Sequence, residues 1–133
     1  MEKEKSIAVV YLMWLPYGSG KMNDFIRSYL EFKAGVEHRF FIVFKGRSEA
    51  GKSEEEKCYQ ILQENNIIYQ PLYFEKGLDM ETYKFASQNI ECDYLFFLNT
   101  SSEIISSCLL FRNCCACLLA LLMIACAALS LSI

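Results

Sequence analysis

The sequence predicts an α/β fold built on a mostly parallel sheet. Three observations carry that expectation. From Ser6 to Leu98, short apolar runs alternate with stretches of helical spacing. The connections between them are short, so each helix reads as a right-handed crossover between parallel strands, which puts helices on both faces of the sheet. The first run, "SIAVVYLMWL", is apolar almost throughout, as expected of a strand covered on both faces rather than on one.

The elements follow in order. After that first strand, "NDFIRSYLEFK" places Phe25, Ile26, Tyr29 and Leu30 on one helical face, with Asn23 as the expected N-cap. "RFFIVFK" reads as the second strand. "SEEEKCYQILQEN" reads as a helix opening with a capping box from Ser53 to Glu56. "IIYQPLYF" is the third strand, and Pro71 within it predicts an edge position or a bulge, because proline donates no ladder hydrogen bond. "DMETYKFASQNI" is the third helix, with Asp79 as its N-cap, and "DYLFFLN" is the fourth strand. The order is β-α-β-α-β-α-β, and in such sheets ligands sit beyond the carboxyl ends of the strands. Those ends carry "LPYGSGK", "KGRSEAGKS", "EKGLD" and "NTSSE".

Length and charge narrow the function. A chain of 133 residues is one domain by size. A net charge of −3 gives no basic footprint, so nucleic acid is not an expected partner. The start, "MEKEKSIAVVYLMW", mixes charges of both signs with a short apolar run and has no small-residue cleavage site, which predicts a cytoplasmic domain. His38, the only histidine, precedes a strand without a nucleophile pattern nearby and is expected at the surface. Cys58 and Cys92 are expected as buried thiols in a reducing compartment.

"GRSEAGKS", residues 46–53, matches the phosphate-loop spacing at Gly46, Gly51, Lys52 and Ser53, between a strand and a helix. A true phosphate loop would cradle phosphates on its amides, reach the terminal ones with Lys52 and hold Mg²⁺ with Ser53. It would also need a remote carboxylate on the metal. The fourth strand ends in Asn99 where an aspartate would be wanted, and Glu75 lies behind the proline-interrupted strand. Glu49 sits inside the loop and Glu54, Glu55 and Glu56 follow it, against Lys45, Arg47 and Lys52. The other reading is a solvated turn whose carboxylates complement a helix dipole, with Ser53 as N-cap.

Three segments together resemble family-2-type glycosyltransferases of the GT-A fold. "IAVVYLMWLPYGSGKMNDFIRSYL" is similar to their opening strand, turn and helix, and "HRFFIVFKG" to their second strand. "KGLDMETYKFASQNIECDYLFFLNTSSEI" resembles the stretch that leads to their metal motif, in the form of bacterial surface-polysaccharide members with Asn-Thr/Ser in place of Asp-x-Asp. The resemblance covers roughly residues 6–106 and implies a Rossmann-like half domain, residues 1–107, that binds a nucleotide-sugar donor. It places Pro16 and Tyr17 near the base, Asp79 facing the nucleotide, and Asn99 and Ser101 at the two positions of the metal motif. There a pair of carboxylates would hold Mg²⁺ or Mn²⁺ against the diphosphate. Asn99 and Ser101 are neutral oxygens, poorer ligands for a hard dication. An inverting transferase also needs a carboxylate base for the acceptor hydroxyl, and none follows Glu103. The expectation is a fragment that binds donor but neither binds the glycan acceptor nor transfers sugar by itself.

Composition breaks sharply at the end. Residues 113–133 carry no charge, and Cys108, Cys114, Cys115, Cys117 and Cys126 crowd the final region, 108–133. Three readings stand: a frameshift or truncation product, a buried hydrophobic helix, or a membrane anchor. At about 1.5 Å per residue, 113–133 is long enough to cross a hydrocarbon core of about 30 Å, with Arg112 at the boundary and Cys114, Cys115 and Cys117 open to acylation. "CCAC" lacks the paired spacing of a structural zinc site.

Overall fold

The computed structural model of the chain describes residues 5–107. The readings of the region 108–133, the membrane anchor among them, lie outside the described residues. Among the described residues no helix is long and apolar enough to cross a membrane.

Four parallel strands form one sheet in the order β3-β2-β1-β4. They are β1 (Ile7–Trp14), β2 (Arg39–Lys45), β3 (Gln70–Tyr73) and β4 (Tyr94–Leu98). The crossovers are α1 (Ser19–Glu31), α3 (Lys52–Glu64) and α4 (Asp79–Asn89). Two small elements fall at strand ends: a 3₁₀ turn at Leu15–Tyr17 and a single helical turn, α2 (Arg47–Ala50).

The unbroken apolarity of β1 follows from its central place. Ile7, Val9, Tyr11 and Met13 face a core closed by Phe25 and Ile26 of α1 and by Cys58 and Leu62 of α3. Ala8, Val10 and Leu12 face the other layer, closed by Tyr83 and Ala86 of α4 and by Ile90 just after it. The first core is dominated by aromatic stacking: the Tyr11 and Phe25 rings lie 4.1 Å apart and 9° from parallel. Pro71 lies in β3, at the sheet's edge, where its missing N–H breaks no central ladder.

Helix starts depart from the sequence expectations, for a tertiary reason. None of the predicted caps functions as one. α1 begins at Ser19, so Asn23 is inside it; α3 begins at Lys52 with Gly51 before it, so Ser53 and Glu56 form no capping box; Asp79 is the first residue of α4 rather than its cap. At α1 a side chain from another helix does the capping: Ser19 N–H donates to Glu54 Oε2 at 2.8 Å. Leu30, placed on the apolar face by spacing, is half exposed, and Met22 takes its place in the core. β3 is shorter than predicted, starting only at Gln70.

Tyr83 is buried against Phe97, rings 4.6 Å apart, and among the described residues its hydroxyl finds no hydrogen-bond partner. Burial holds its phenol well above the ordinary range, with Asp79 adding to the effect. An unpartnered buried hydroxyl is destabilising by about 1 kcal/mol or more. Tyr83→Phe is therefore expected to leave the unfolding midpoint unchanged or raise it, and a clear drop in thermal melting would contradict the assignment.

Candidate functional site

The strand order reverses direction between β1 and β4: the chain steps from β1 to β2 to β3, then returns to the far side of β1. In open parallel sheets the crevice outside the carboxyl ends at that point is where ligands bind. The segment after β1 and the segment after β4 form its walls.

After β1 the chain enters the 3₁₀ turn, which carries Pro16 and Tyr17 on the surface. Tyr17 is 64 % exposed, a large aromatic ring left free beside the crevice. Gly18 follows with a positive φ of +90° and α1 starts.

After β4 the chain makes a tight turn around Asn99. Asn99 Oδ1 accepts from Ser101 N–H at 3.1 Å and from Ser102 Oγ at 3.0 Å, and Ser102 Oγ also accepts from Asn99 N–H. Ser101 is exposed. Both acceptor positions of the Asn99 carbonyl are thus engaged within the turn. Neither residue supplies a carboxylate, and the donor set does not suit Mg²⁺ or Mn²⁺. Among the described residues no group of His, Cys, Asp and Glu side chains is arranged as metal ligands.

Between them sits Thr100, which sequence reasoning passed over. It is buried, donates from Oγ1 to Leu12 O at 2.8 Å and accepts from Trp14 N–H at 2.8 Å, while its own carbonyl accepts from Tyr11 O–H at 2.8 Å. As β4 leaves the sheet, the Thr100 side chain continues the ladder to β1. The two walls of the crevice are therefore rigidly joined.

A second cluster lies at the ends of β2 and β3. Lys45, the last residue of β2, is buried, and its ammonium donates to the carbonyls of Lys76 and Gly77 and to Thr82 Oγ1. Burial lowers its pKa, opposed by Asp79, Glu81 and Glu75. In return, the Glu75 carboxylate accepts from Gly46 N–H at 3.0 Å and Arg47 N–H at 3.2 Å. The two strand exits are clamped in both directions. Asp79 sits partly exposed in this cluster, close enough to Lys45 to act on its charge, at the β2 and β3 exits rather than at the β1–β4 crevice. The sequence offered no signal for this clamp, because its partners are some 30 residues apart.

The "GRSEAGKS" segment takes a definite shape. Residues 47–50 coil into α2, so the amides of Ala50 and Gly51 bond back to the carbonyls of Gly46 and Arg47. The Gly46 and Arg47 amides carry Glu75. Arg47 stacks on the Tyr73 ring at 4.5 Å and donates to Glu55 at 2.8 Å; Tyr59 O–H also donates to Glu55. Gly51, Lys52 and Ser53 lie exposed at the start of α3. The acidic residues after the loop are more than a generic complement to the helix dipole. Glu55 is buried on Arg47 and Tyr59, and Glu54 joins Lys57 to the α1 amide. The Lys57 ammonium, then the Ser19 amide, hold the Glu54 carboxyl down at about 2.

The remaining titratable residues lie elsewhere. His38 is half-buried rather than on the open surface: Nδ1–H donates to Val36 O at 3.0 Å, leaving Nε2 to accept from Tyr29 O–H at 2.8 Å in the neutral ring. It lines a groove of about 410 Å³ with Phe40, Ile67 and Tyr69, at the amino ends of β2 and β3 and so opposite the crevice. Cys58 is buried, its thiol pushed up to about 12 chiefly by burial, whereas Cys92 is only partly covered.

Comparison with protein families, characterised proteins and solved structures finds no match to this chain.

Proposed function

We propose that this domain binds a nucleotide-sugar at the carboxyl ends of its strands, as the donor-binding part of a family-2-type glycosyltransferase with a GT-A-like fold. One observation carries the reading. The two loops that the resemblance marks, Pro16–Tyr17 and Asn99–Ser101, flank the point where the strand order reverses. The order β3-β2-β1-β4 is also the first four strands of the doubly wound nucleotide-binding arrangement. In this reading the exposed face of Tyr17 stacks on the base. Asp79, in the cluster at the β2 and β3 exits, receives the far end of an elongated ligand. The turn at Asn99 offers neutral hydroxyl and amide groups to the diphosphate or sugar, and binding is independent of Mg²⁺ and Mn²⁺.

The phosphate-loop alternative has less support. Its amides at Gly46, Arg47, Ala50 and Gly51 already have intramolecular partners, and a carboxylate occupies the place an incoming phosphate would take. A resident carboxylate repels a phosphate as well as blocking it.

Thermal shift with a panel of nucleotides separates the readings. UDP- or GDP-sugars are expected to stabilise the protein, by about 2.7 kcal/mol at a hundredfold excess over Kd. Tyr17→Ala is expected to weaken that binding about tenfold, since base–aromatic stacking contributes about 1–3 kcal/mol. Lys52→Ala is expected to leave it intact. Protection by ATP or GTP with Mg²⁺ that disappears in Lys52→Ala would establish the phosphate loop instead. No response to any nucleotide would leave a non-enzymatic interaction domain.

A further inference from the structure

A nucleotide-sugar carries a diphosphate, and taking that negative charge out of water is costly unless the site meets it with positive charge. The turn at Asn99 meets it with neutral groups alone, and those groups do not suit a divalent cation. On the two walls of the crevice, residues 15–22 and 99–107, the sequence places one cation, Lys21, and one carboxylate, Glu103.

Lys21 lies in the first turn of α1, which starts at the carboxyl ends of the strands because it follows β1 directly. Contacts further down the helix fix which side of α1 it occupies. Lys21, Phe25 and Ser28 are spaced i, i+4, i+7 and so form one stripe. Phe25 stacks on Tyr11, whose hydroxyl donates to Thr100 O at 2.8 Å, and Ser28 Oγ accepts from Ile104 N–H at 2.9 Å. The stripe therefore follows the segment that leaves β4, while α3 holds the other flank, where Glu54 takes the Ser19 amide. Phe25 and Ser28 are buried, whereas Lys21, one turn nearer the carboxyl ends, is exposed. Long helical side chains lean toward the helix N-terminus, which here is toward the mouth of the crevice. Among the described residues the Lys21 ammonium forms no ion pair, either with Asp24 one turn on or with Glu103.

We propose that Lys21 binds the phosphate groups of the ligand, so that the protein itself supplies the positive charge a divalent cation would otherwise bring. The inference rests on the nucleotide-sugar reading and adds the counter-charge that Asn99 and Ser101 do not provide. It also divides the ligand between neighbours in the chain: Tyr17 stacks on the base, and Lys21, four residues on, meets the phosphates. An ammonium on a phosphate oxygen makes a charge-assisted hydrogen bond, stronger than any the neutral turn can offer. Lys52, which the phosphate-loop spacing would put on a phosphate, opens α3 on the other flank of α1 and takes no part.

The test is calorimetric titration of the full chain with uridine, UDP, guanosine and GDP, with and without Mg²⁺. Without metal, the diphosphate of the preferred base is expected to bind more tightly than its nucleoside, and less tightly as salt is raised. Lys21→Gln should weaken diphosphate binding about tenfold or more and leave nucleoside binding unchanged. Lys21→Arg should restore it, and Lys52→Ala should change neither. Lys21 is exposed, so the unfolding midpoint of each variant should match that of the unaltered chain. Tyr17→Ala gives the contrast, weakening nucleoside and diphosphate alike. Diphosphate binding that is no tighter than nucleoside binding, that survives Lys21→Gln, or that appears only with Mg²⁺ overturns the proposal and leaves the donor site standing. If the unaltered chain binds none of the four ligands under either condition, the nucleotide-sugar reading falls and the proposal falls with it.

Discussion

Thr100→Val is expected to lower the stability of the domain by about 2–4 kcal/mol, and its thermal midpoint by roughly 10 °C or more. Valine keeps the shape of threonine but replaces the hydroxyl with a methyl group. Leu12 O then loses its donor and Trp14 N–H its acceptor, in a region where Thr100 is only 4 % exposed. Each buried polar group stranded in this way is destabilising by about 1–3 kcal/mol. Thr100→Ser keeps the hydroxyl and is expected to recover most of the loss, the remainder reflecting the missing methyl. Chemical denaturation of the pair measures both numbers. If valine and serine prove equally stable, the side chain does not continue the ladder. The consequence extends to the crevice, because the Asn99–Ser102 turn hangs from this residue. Any ligand held between the Tyr17 and Asn99 loops should bind less tightly to Thr100→Val than to Thr100→Ser.

Gly46→Ala is the second large effect, at about 2–4 kcal/mol. Gly46 has φ of +77°, a left-handed conformation in which a side chain is strained. A Cβ there would also lie 2.6 Å from Pro16 Cδ, 2.9 Å from Pro16 Cγ and 2.9 Å from a ring carbon of Trp14. Proline and indole rings have no flexible end to swing aside, so the 3₁₀ turn must shift. Gly77→Ala gives the contrast. Its φ is +66°, and the atoms that a Cβ would meet belong to the Glu81 carboxylate, which can rotate into solvent. That variant should lose only about 1 kcal/mol. Urea midpoints for the two alanine variants check the difference, and equal values would show that the Pro16–Trp14 contact yields easily. The result also bears on the motif at residues 46–53. Gly46 is needed here so that the β1 and β2 exits can approach, whereas a phosphate loop would need it for ligand access, with folding preserved and nucleotide binding lost.

The overall class of the fold was legible in the sequence because strand burial leaves a compositional mark. β1 and β2 sit in the middle of the sheet with a helical layer on each side, so neither face could be polar, and their unbroken apolar runs say so. Pro71 marks the edge because its missing donor excludes it from a central strand. Helix starts were less legible. Asn23, Ser53 and Asp79 have the chemistry of N-caps, but Glu54 caps α1 from another helix, and local propensity gave way to a contact across 35 residues. Gly46, Gly51, Lys52 and Ser53 match a phosphate loop in letters, yet residues 47–50 close into a helical turn and Glu75 fills the amides that the letters appear to leave open. The spacing of a motif constrains where residues lie along the chain, not where their amides point.

Alternating strands and helices and the parallel sense of the sheet were determined by the sequence alone, because each depends on local periodicity and short connections; Pro71 narrowed β3 to an edge or a bulge, and the strand order placed it at the edge. The tertiary structure decided what Thr100, Lys45, Glu54 and Glu75 do. All four are polar side chains whose partners lie far away in sequence. Whether such a group is a solvated surface residue or a buried clamp depends on which strand exits come together, and that is set by the order in which the strands assemble into the sheet.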